Sequence, residues 1–430
     1  MTGLDETFWV ETLGCPKNQV DSDKLTGRFV ANGMTPALDS SSADLVVVNT
    51  CAFIESARQE SIDTTLALVD ARREGARVVV TGCMAERYGT ELADALPEVD
   101  LVAGFGRDLT DGTGGRQSSS RRLIPVVAAP LPDFDLLNLP RPPAAAPWAY
   151  VKIAEGCDRA CGFCAIPSFR GPQRSRTVSS ILDEVDALGA KEVVLVAQDL
   201  ASYGRDQGVG ERSIEMLVQS VAERVPRVRL LYLYPSDLND GLIDVILATG
   251  LPYFDLSLQH VSRPLLRRMR RWGSGDRFQD RIEAIRAREP HAAFRSNFIV
   301  GYPGETEADH DQLLDFVEAA QLDWCGFFPF SPEAGTYAAD LDEHVESGLI
   351  HDRLAELGEL QDSITAARSD RWIGRDAEVL VDAVGVARTY REAPEIDGVV
   401  SVPDSLTVGE FHRVRITGAS GPDLLAESIP

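Results

Sequence analysis

Short apolar runs alternate with amphipathic stretches along the first hundred residues. Phe8–Thr12 reads as a strand and Gln19–Ala31 as a helix. Leu45–Asn49 is a strand of largely β-branched residues, followed by a helix over Ser56–Arg73. Val78–Thr81 and Ala85–Leu96 repeat the pair. This β-α-β-α order predicts an open parallel α/β sheet with covering helices. The stretch from Asp108 to Pro147 breaks the pattern. It holds DGTGGRQSSSRR and a proline-rich run ending in PRPPAAAP, which reads as a linker with one short strand at Leu123–Val127.

A second alternating series starts at Tyr150. Its strands are Tyr150–Ala154, Val193–Val196, Arg229–Leu233, Phe254–Leu258, Ser296–Val300 and Cys325–Phe330, with helices such as Ser180–Leu188, Ile214–Arg224 and Glu307–Ala319 between them. Six β/α units predict a partial (β/α)6 barrel whose active site lies at the C-terminal strand ends. A helix over Ser347–Arg368 leads out of it. The tail has strand-like runs at Glu378–Val381, Gly398–Val402 and His412–Ile416 without helical period, as in a small β-barrel. The chain is therefore of α/β class, divided into residues 1–107, a linker at 108–147, a barrel at 148–366 and a β-module at 367–430.

The 430 residues are 44% hydrophobic and 25% charged, ordinary for a chain that buries a sizeable core. The net charge of −25 is less ordinary. Such a surface repels phosphate backbones and anionic membranes, so direct RNA binding is not favoured and a basic partner is attracted. No apolar run approaches the roughly 20 residues of a membrane span. The start, MTGLDETFWV, lacks a basic region before a long apolar run. A reducing cytoplasmic location follows as the expectation, where clustered cysteines bind metal or do chemistry more often than they pair.

There are seven cysteines. Cys157, Cys161 and Cys164 form Cys-x3-Cys-x2-Cys directly after the strand Tyr150–Ala154. Three soft thiolates on one short loop suit an iron–sulfur cluster, and a four-iron cluster held by three cysteines keeps one iron open for a substrate. The competing readings are a zinc site completed by a distant His and unrelated buried cysteines. Cys15, Cys51 and Cys83 each follow a predicted strand, in the contexts ETLGC, VVNTC and VVTGC. The C-terminal strand ends of an open parallel sheet share one edge, so these three can meet in space as a second cluster site. The alternative is that cysteine, often buried, happens to end three strands. Cys325 reads as a core thiol.

These motifs carry a resemblance. The Cys-x3-Cys-x2-Cys loop after a first barrel strand, with Phe163 before the third cysteine, resembles the radical S-adenosylmethionine (SAM) enzymes. The upstream three-cysteine domain and downstream β-barrel, a TRAM module, resemble the methylthiotransferases among them, over nearly the whole chain. The resemblance implies that Cys157, Cys161 and Cys164 hold the catalytic, SAM-binding [4Fe–4S] cluster, and that Cys15, Cys51 and Cys83 hold an auxiliary [4Fe–4S] cluster. The runs AEGCDRACGFCAIPSFRGPQRSR (Ala154–Arg176), SLQHVSRPLLRRMRR (Ser257–Arg271) and APEIDG (Ala393–Gly398) look like the type that modifies an aspartate on the twelfth small-subunit ribosomal protein. The tRNA-adenosine type usually shows Gln-Ser where this chain has Gln259–His260. The tail from Arg371 to Pro430 has ten acids and six cations, net −4, which fits a basic protein substrate better than RNA.

The resemblance further implies a 5′-deoxyadenosyl radical made from SAM, hydrogen abstraction from the aspartate β-carbon, sulfur insertion, a second SAM as methyl donor and an external electron donor. A monomer is expected. Candidate SAM contacts lie at strand ends: Phe163 on the loop, Gln198 and Asp199 after the second strand, Gln259 after the fourth, and Ile299, Val300 and Gly301 after the fifth. His260 is a further candidate, with a structural role as its alternative. Gly304–Glu305–Thr306 reads equally as a turn and helix cap. Arg263, Arg267, Arg268, Arg270 and Arg271 form a cationic island that could hold a carboxylate or be a solvated helix face. Met269 reads as core. The alternatives to protein methylthiolation are tRNA methylthiolation and a non-catalytic iron–sulfur carrier.

Overall fold

The computed structural model describes residues 6–109, 134–208 and 214–429. The predicted strand at Leu123–Val127 lies outside the described residues. The chain divides into two compact units: Met1–Pro142 with Glu155–Cys157 and Ala165–Pro172, and the remainder to Pro430.

In the first unit, β1 (Thr7–Thr12), α1 (Pro16–Ala31), β2 (Thr35–Pro36), β3 (Leu45–Thr50), α2 (Glu55–Ala71), β4 (Arg77–Gly82), α3 (Cys83–Ala95) and β5 (Leu101–Val102) follow in order. The sheet runs β2-β1-β3-β4-β5 with every pairing parallel. Strand β3 is buried throughout, as a parallel strand covered on both faces must be. Its alternate side chains serve two cores. Leu45 and Val47 pack with Leu25 and Phe29 of α1, whereas Val46 and Val48 pack with Val69 of α2 and Leu92 of α3. The two-residue edge strands β2 and β5 were too short for the sequence pattern to announce. Part of the stretch read as linker joins this core, since Phe134, Leu136 and Leu137 are buried and the ammonium of Lys24 donates to the carbonyl of Leu137 at 2.6 Å.

In the second unit the elements are β6 (Trp148–Lys152), β7 (Ala154–Glu155, its last residue in the first unit), β8 (Arg174–Ser175), α5 (Val178–Leu188), β9 (Glu192–Val196), α6 (Ile214–Ala222), β10 (Arg227–Leu230), α7 (Asp240–Ala248), β11 (Tyr253–Gln259), α8 (Arg263–Arg268), α9 (Gly275–Arg288), β12 (Ala293–Val300), α10 (Glu307–Ala320), β13 (Trp324–Pro329) and α11 (Ser347–Asp370). Helix α4 (Ile166–Arg170) falls between β7 and β8 in sequence and packs with the first unit. Strands β6, β9 and β10 form one parallel sheet, and β11, β12 and β13 another. A parallel bridge from Leu233 to Leu256 joins them, giving an open six-strand half-barrel in sequence order. The tail closes a barrel from β14 (Asp376–Ala383), β15 (Val386–Arg388), β16 (Val400–Ser401), β17 (Phe411–Ser420) and β18 (Asp423–Ser428), in the order β14-β15-β16-β18-β17. Among the described residues, no helix is long and apolar enough to cross a membrane.

Candidate functional site

The order β2-β1-β3-β4-β5 places the topological switch of the first unit between β1 and β3, where doubly wound sheets open a crevice outside their C-terminal strand ends. Cys15 follows β1, Cys51 follows β3 and Cys83 follows β4. All three predicted cysteines thus stand at one edge. Two glycines make this close approach possible. Gly14 has φ +97°, and a Cβ on it would lie 2.8 Å from Cβ of Cys51. Gly82 has φ +92°, and a Cβ there would meet the Thr50 nitrogen at 2.6 Å. Both conformations are strained for any other residue.

Cys15 caps the N-terminus of α1 and Cys83 opens α3, so both sulfurs sit where helix dipoles favour negative charge. Burial pushes the Cys15 thiol up, but the charge of Lys17, the Asn18 backbone N–H and the charge of Arg170 outweigh it and hold the thiol below its ordinary value. At Cys51 the charge of Arg170 is a lesser influence. Burial and the neighbouring charge of Cys15 push this thiol up to about 12. Burial also raises Cys83, against the opposing charge of Arg170. The triad is thus electrostatically coupled. Among the described residues no group of three or more His, Cys, Asp or Glu is placed to hold a metal ion. A four-iron cluster binds each cysteine at a separate corner, and the soft, dipole-assisted donor set fits it.

Two residues that sequence reasoning missed organise this edge. Asn18 is fully buried, and its Nδ2 donates to the carbonyls of Leu13 at 2.9 Å and Thr50 at 3.1 Å, just before Cys15 and Cys51. Arg170 donates from Nη2 to Cys83 Sγ at 3.0 Å.

The second triplet spans the boundary in sequence. Cys157 is buried in the first unit, its N–H donating to the carbonyl of Gly171 at 3.0 Å. Cys161 and Cys164 belong to the second unit, where the Gly162 N–H donates to the carbonyl of Met269 at 2.8 Å. Arg271 donates from Nη1 to Cys161 Sγ at 3.4 Å. Arg159, also unforeseen, binds Asp199 from Nε at 2.5 Å, pairs with Asp237 and lies 3.9 Å from the Tyr234 ring centroid. These carboxylates more than offset the burial that would lower its pKa.

The predicted SAM contacts divide. Gln198 is half-buried at the end of β9, whereas Asp199 is buried in its bond to Arg159. Gln259 ends β11 with φ +71°, beside a register irregularity after Leu256. Phe163 and Ile299 are partly buried against the main core, and Val300 is fully buried. Ile350 fills the space a side chain on Gly301 would need, and the Gly301 N–H donates to Glu305 at 2.6 Å. His260 is fully buried, its Nδ1 accepting from the Ser262 N–H at 3.1 Å, which fits the structural alternative. Thr306 caps α10 in a reciprocal box with Asp309, so that motif is a helix start. In the arginine run, Arg263, Arg267 and Arg270 are exposed, Arg268 pairs with Glu343 at 2.7 Å and Met269 is core. Cys325 packs against the core, where burial raises its thiol.

A parallel half-barrel with a three-cysteine loop after its first strand is the arrangement of a radical SAM protein, and residues 151–317 match the Radical SAM superfamily. Residues 7–104 match the family described as uncharacterized protein family UPF0004, and residues 373–429 the TRAM domain. The chain is 41% identical to the ribosomal protein uS12 methylthiotransferase RimO of Cutibacterium acnes, over 98% of this chain and 97% of that protein. It is likewise 41% identical to the protein of that name from Streptomyces coelicolor, over 98% and 97%, and 40% identical to that of Kineococcus radiotolerans, over 100% and 98%. This chain belongs to the RimO family of methylthiotransferases. Among solved structures, the radical SAM methyltransferase TsrM from Kitasatospora setae aligns over 78% of this chain and 74% of its own, at 15% identity and a TM-score of 0.48.

Proposed function

We propose that this chain methylthiolates the β-carbon of an aspartate on ribosomal protein uS12, using SAM both as radical source and as methyl donor. The observation that carries this reading is the 41% identity over nearly the full length to proteins of that name. In this reading Cys157, Cys161 and Cys164 hold one [4Fe–4S] cluster and Cys15, Cys51 and Cys83 a second. When bound, the clusters and SAM supply the electron, the hydrogen-abstracting radical, the sulfur and the methyl group.

The chain's own residues position these groups. Arg159 anchors the loop between Cys157 and Cys161 to Asp199 and Asp237. Arg271 sets a cation beside Cys161. Phe163 on the loop, and Gln198, Asp199, Gln259, Ile299, Val300 and Gly301 at or just after the ends of β9, β11 and β12, would border the bound SAM. The domains in this reading are residues 1–107, 148–366 and 367–430, with 108–147 between the first two and its Phe134 and Leu136 packed into the first core. A net charge of −25 favours a basic ribosomal protein, reached by a cytoplasmic monomer supplied with electrons by a separate donor and without direct RNA binding.

The test is mass spectrometry after anaerobic reconstitution, reduction and addition of SAM. The protein is incubated separately with uS12 and with tRNA. One methylthio group on a uS12 aspartate is the expected result; modification of tRNA alone overturns the substrate.

A further inference from the structure

Arg170 stands six residues after Cys164 in sequence, at the end of α4. It packs nevertheless into the first unit, 9% exposed, and donates in four directions. Nη1 reaches Asp21 at 3.1 Å and both Glu155 oxygens at 3.0 Å. Nη2 reaches Asn18 Oδ1 at 2.9 Å and Cys83 Sγ at 3.0 Å. The guanidinium lies 3.9 Å from the Phe105 ring centroid.

A buried ion pair alone does not require this arrangement. Asp21 and Glu155 already balance the charge, and a neutral thiol is a weak acceptor. A charge-assisted N–H···S bond gains its strength when the sulfur carries negative charge. The partner Asn18 holds the carbonyls of Leu13 and Thr50 through its own amide. Arg170 and Asn18 together therefore touch the ends of all three cysteine-bearing strands. Glu155, which grips the other side of the guanidinium, lies two residues before Cys157.

We propose that Arg170 is a positioning residue for the N-terminal cysteine triad: it fixes the sulfur of Cys83 with a charge-assisted hydrogen bond and steadies through Asn18 the strand ends bearing Cys15 and Cys51. The inference rests on the reading of Cys15, Cys51 and Cys83 as cluster ligands. Its consequence is that the first hundred residues lack one part of their own site. That part arrives from beyond the second cysteine loop, and Glu155 ties it to the start of that loop.

The experiment uses the full chain carrying Cys157→Ala, Cys161→Ala and Cys164→Ala, so that bound iron reports the N-terminal triad alone. Anaerobic reconstitution of this background should give about four irons per chain. Failure at this step removes the cluster reading, and with it the premise of the inference. In the same background Arg170→Met, Arg170→Lys and Glu155→Gln are compared with Arg141→Met, which deletes another buried arginine of the first unit, paired with Asp23. Arg170→Met should weaken iron retention against a chelator roughly tenfold or more. It should also move the midpoint potential of the cluster, followed by electron paramagnetic resonance, to more negative values, because a cation and a hydrogen bond to sulfur favour the more negative reduced form. Arg170→Lys should recover part of that shift. Glu155→Gln removes a neutralising anion and should move the potential the opposite way, a readout that survives if Arg170→Met does not fold. Potentials and iron retention in Arg170→Met equal to those of Arg141→Met, or a Glu155→Gln shift of the same sign as Arg170→Met, overturn the proposal.

Discussion

Arg271 donates to Cys161 Sγ at 3.4 Å, and among the described residues it has no carboxylate partner. Its other contacts are the carbonyl of Ser257 and the ring of Tyr234, whose centroid is 3.9 Å away. Arg159 approaches the same ring at 3.9 Å, but its charge is already matched by Asp199 and Asp237. The uncompensated cation of the pair is therefore the one on the sulfur. Arg271→Ala should slow the reductive cleavage of SAM roughly tenfold or more, the range typical for groups that support metal ligands. Arg271→Lys should lose less, because it keeps the charge. The measurement is 5′-deoxyadenosine released per reduced protein. Wild-type release by Arg271→Ala would reduce the residue to packing.

The two cysteine triplets separate experimentally. Cys157→Ala should abolish 5′-deoxyadenosine formation. Cys51→Ala removes the thiol just after β3, in the other triplet, so on the proposed reading it should leave SAM cleavage in place and block sulfur insertion. Nucleoside chromatography and mass spectrometry of uS12 peptides read the two halves. Loss of both activities in Cys51→Ala would mean that the triplets do not act as separate centres.

Away from the strand ends bearing the site, Glu192 at the start of β9 is fully buried among arginines from two elements. Arg229 lies 2.8 Å away and Arg388 of the closed barrel 3.1 Å. Burial pushes the carboxyl up, but Arg229, Arg388 and Arg227 outweigh it and hold it at about 2. Removing one partner of such a cluster strands buried cations, so Glu192→Gln should cost roughly 3–5 kcal/mol in urea unfolding. A loss within experimental error would show that the arginines find other partners.

How far the sequence announced this molecule depends on the kind of signal. Buried parallel strands such as Leu45–Thr50 are runs of β-branched residues, so the two α/β units were legible to within a few residues. Strands of two or three residues, such as β5 and β15, carry no alternation and were missed. The six cysteines follow predicted strands or form a compact motif, and chain order alone makes them candidates. Arg170 and Arg159 were not singled out because an arginine has no period, and 38 of the 42 cations here are arginine. Their meaning comes from partners such as Asp21 and Asp237, which only the folded chain brings near. The partner of Asp199 was hidden for the same reason: Arg159 reaches it from forty residues away.

Two buried groups set opposite pH slopes on stability. His260 is held down to about 4, chiefly by burial, against an ordinary value of 6.5. As pH falls from 6.5 towards 4 the unfolded chain takes up a proton that the folded chain refuses, so this residue withdraws stability on acidification. Asp397 is pushed up to about 6 by burial, against an ordinary 3.8, although Arg295 and the Tyr253 hydroxyl oppose the shift. As pH rises from 3.8 through 6 the unfolded chain releases a proton that the folded chain keeps, so this residue withdraws stability on neutralisation. Each effect amounts to roughly 3 kcal/mol over its window, and the two largely cancel between pH 4 and 6. Single variants should expose them. His260→Asn keeps an acceptor for the Ser262 N–H and should gain on the unsubstituted chain as pH drops from 7 to 4.5. Asp397→Asn keeps an acceptor for Tyr253, which now donates at 2.7 Å, and should gain as pH rises over the same interval. Urea unfolding of iron-free protein at pH 4.5, 5.5 and 7 reads both. Differences from the unsubstituted chain that stay constant with pH would show that neither group titrates away from its ordinary value.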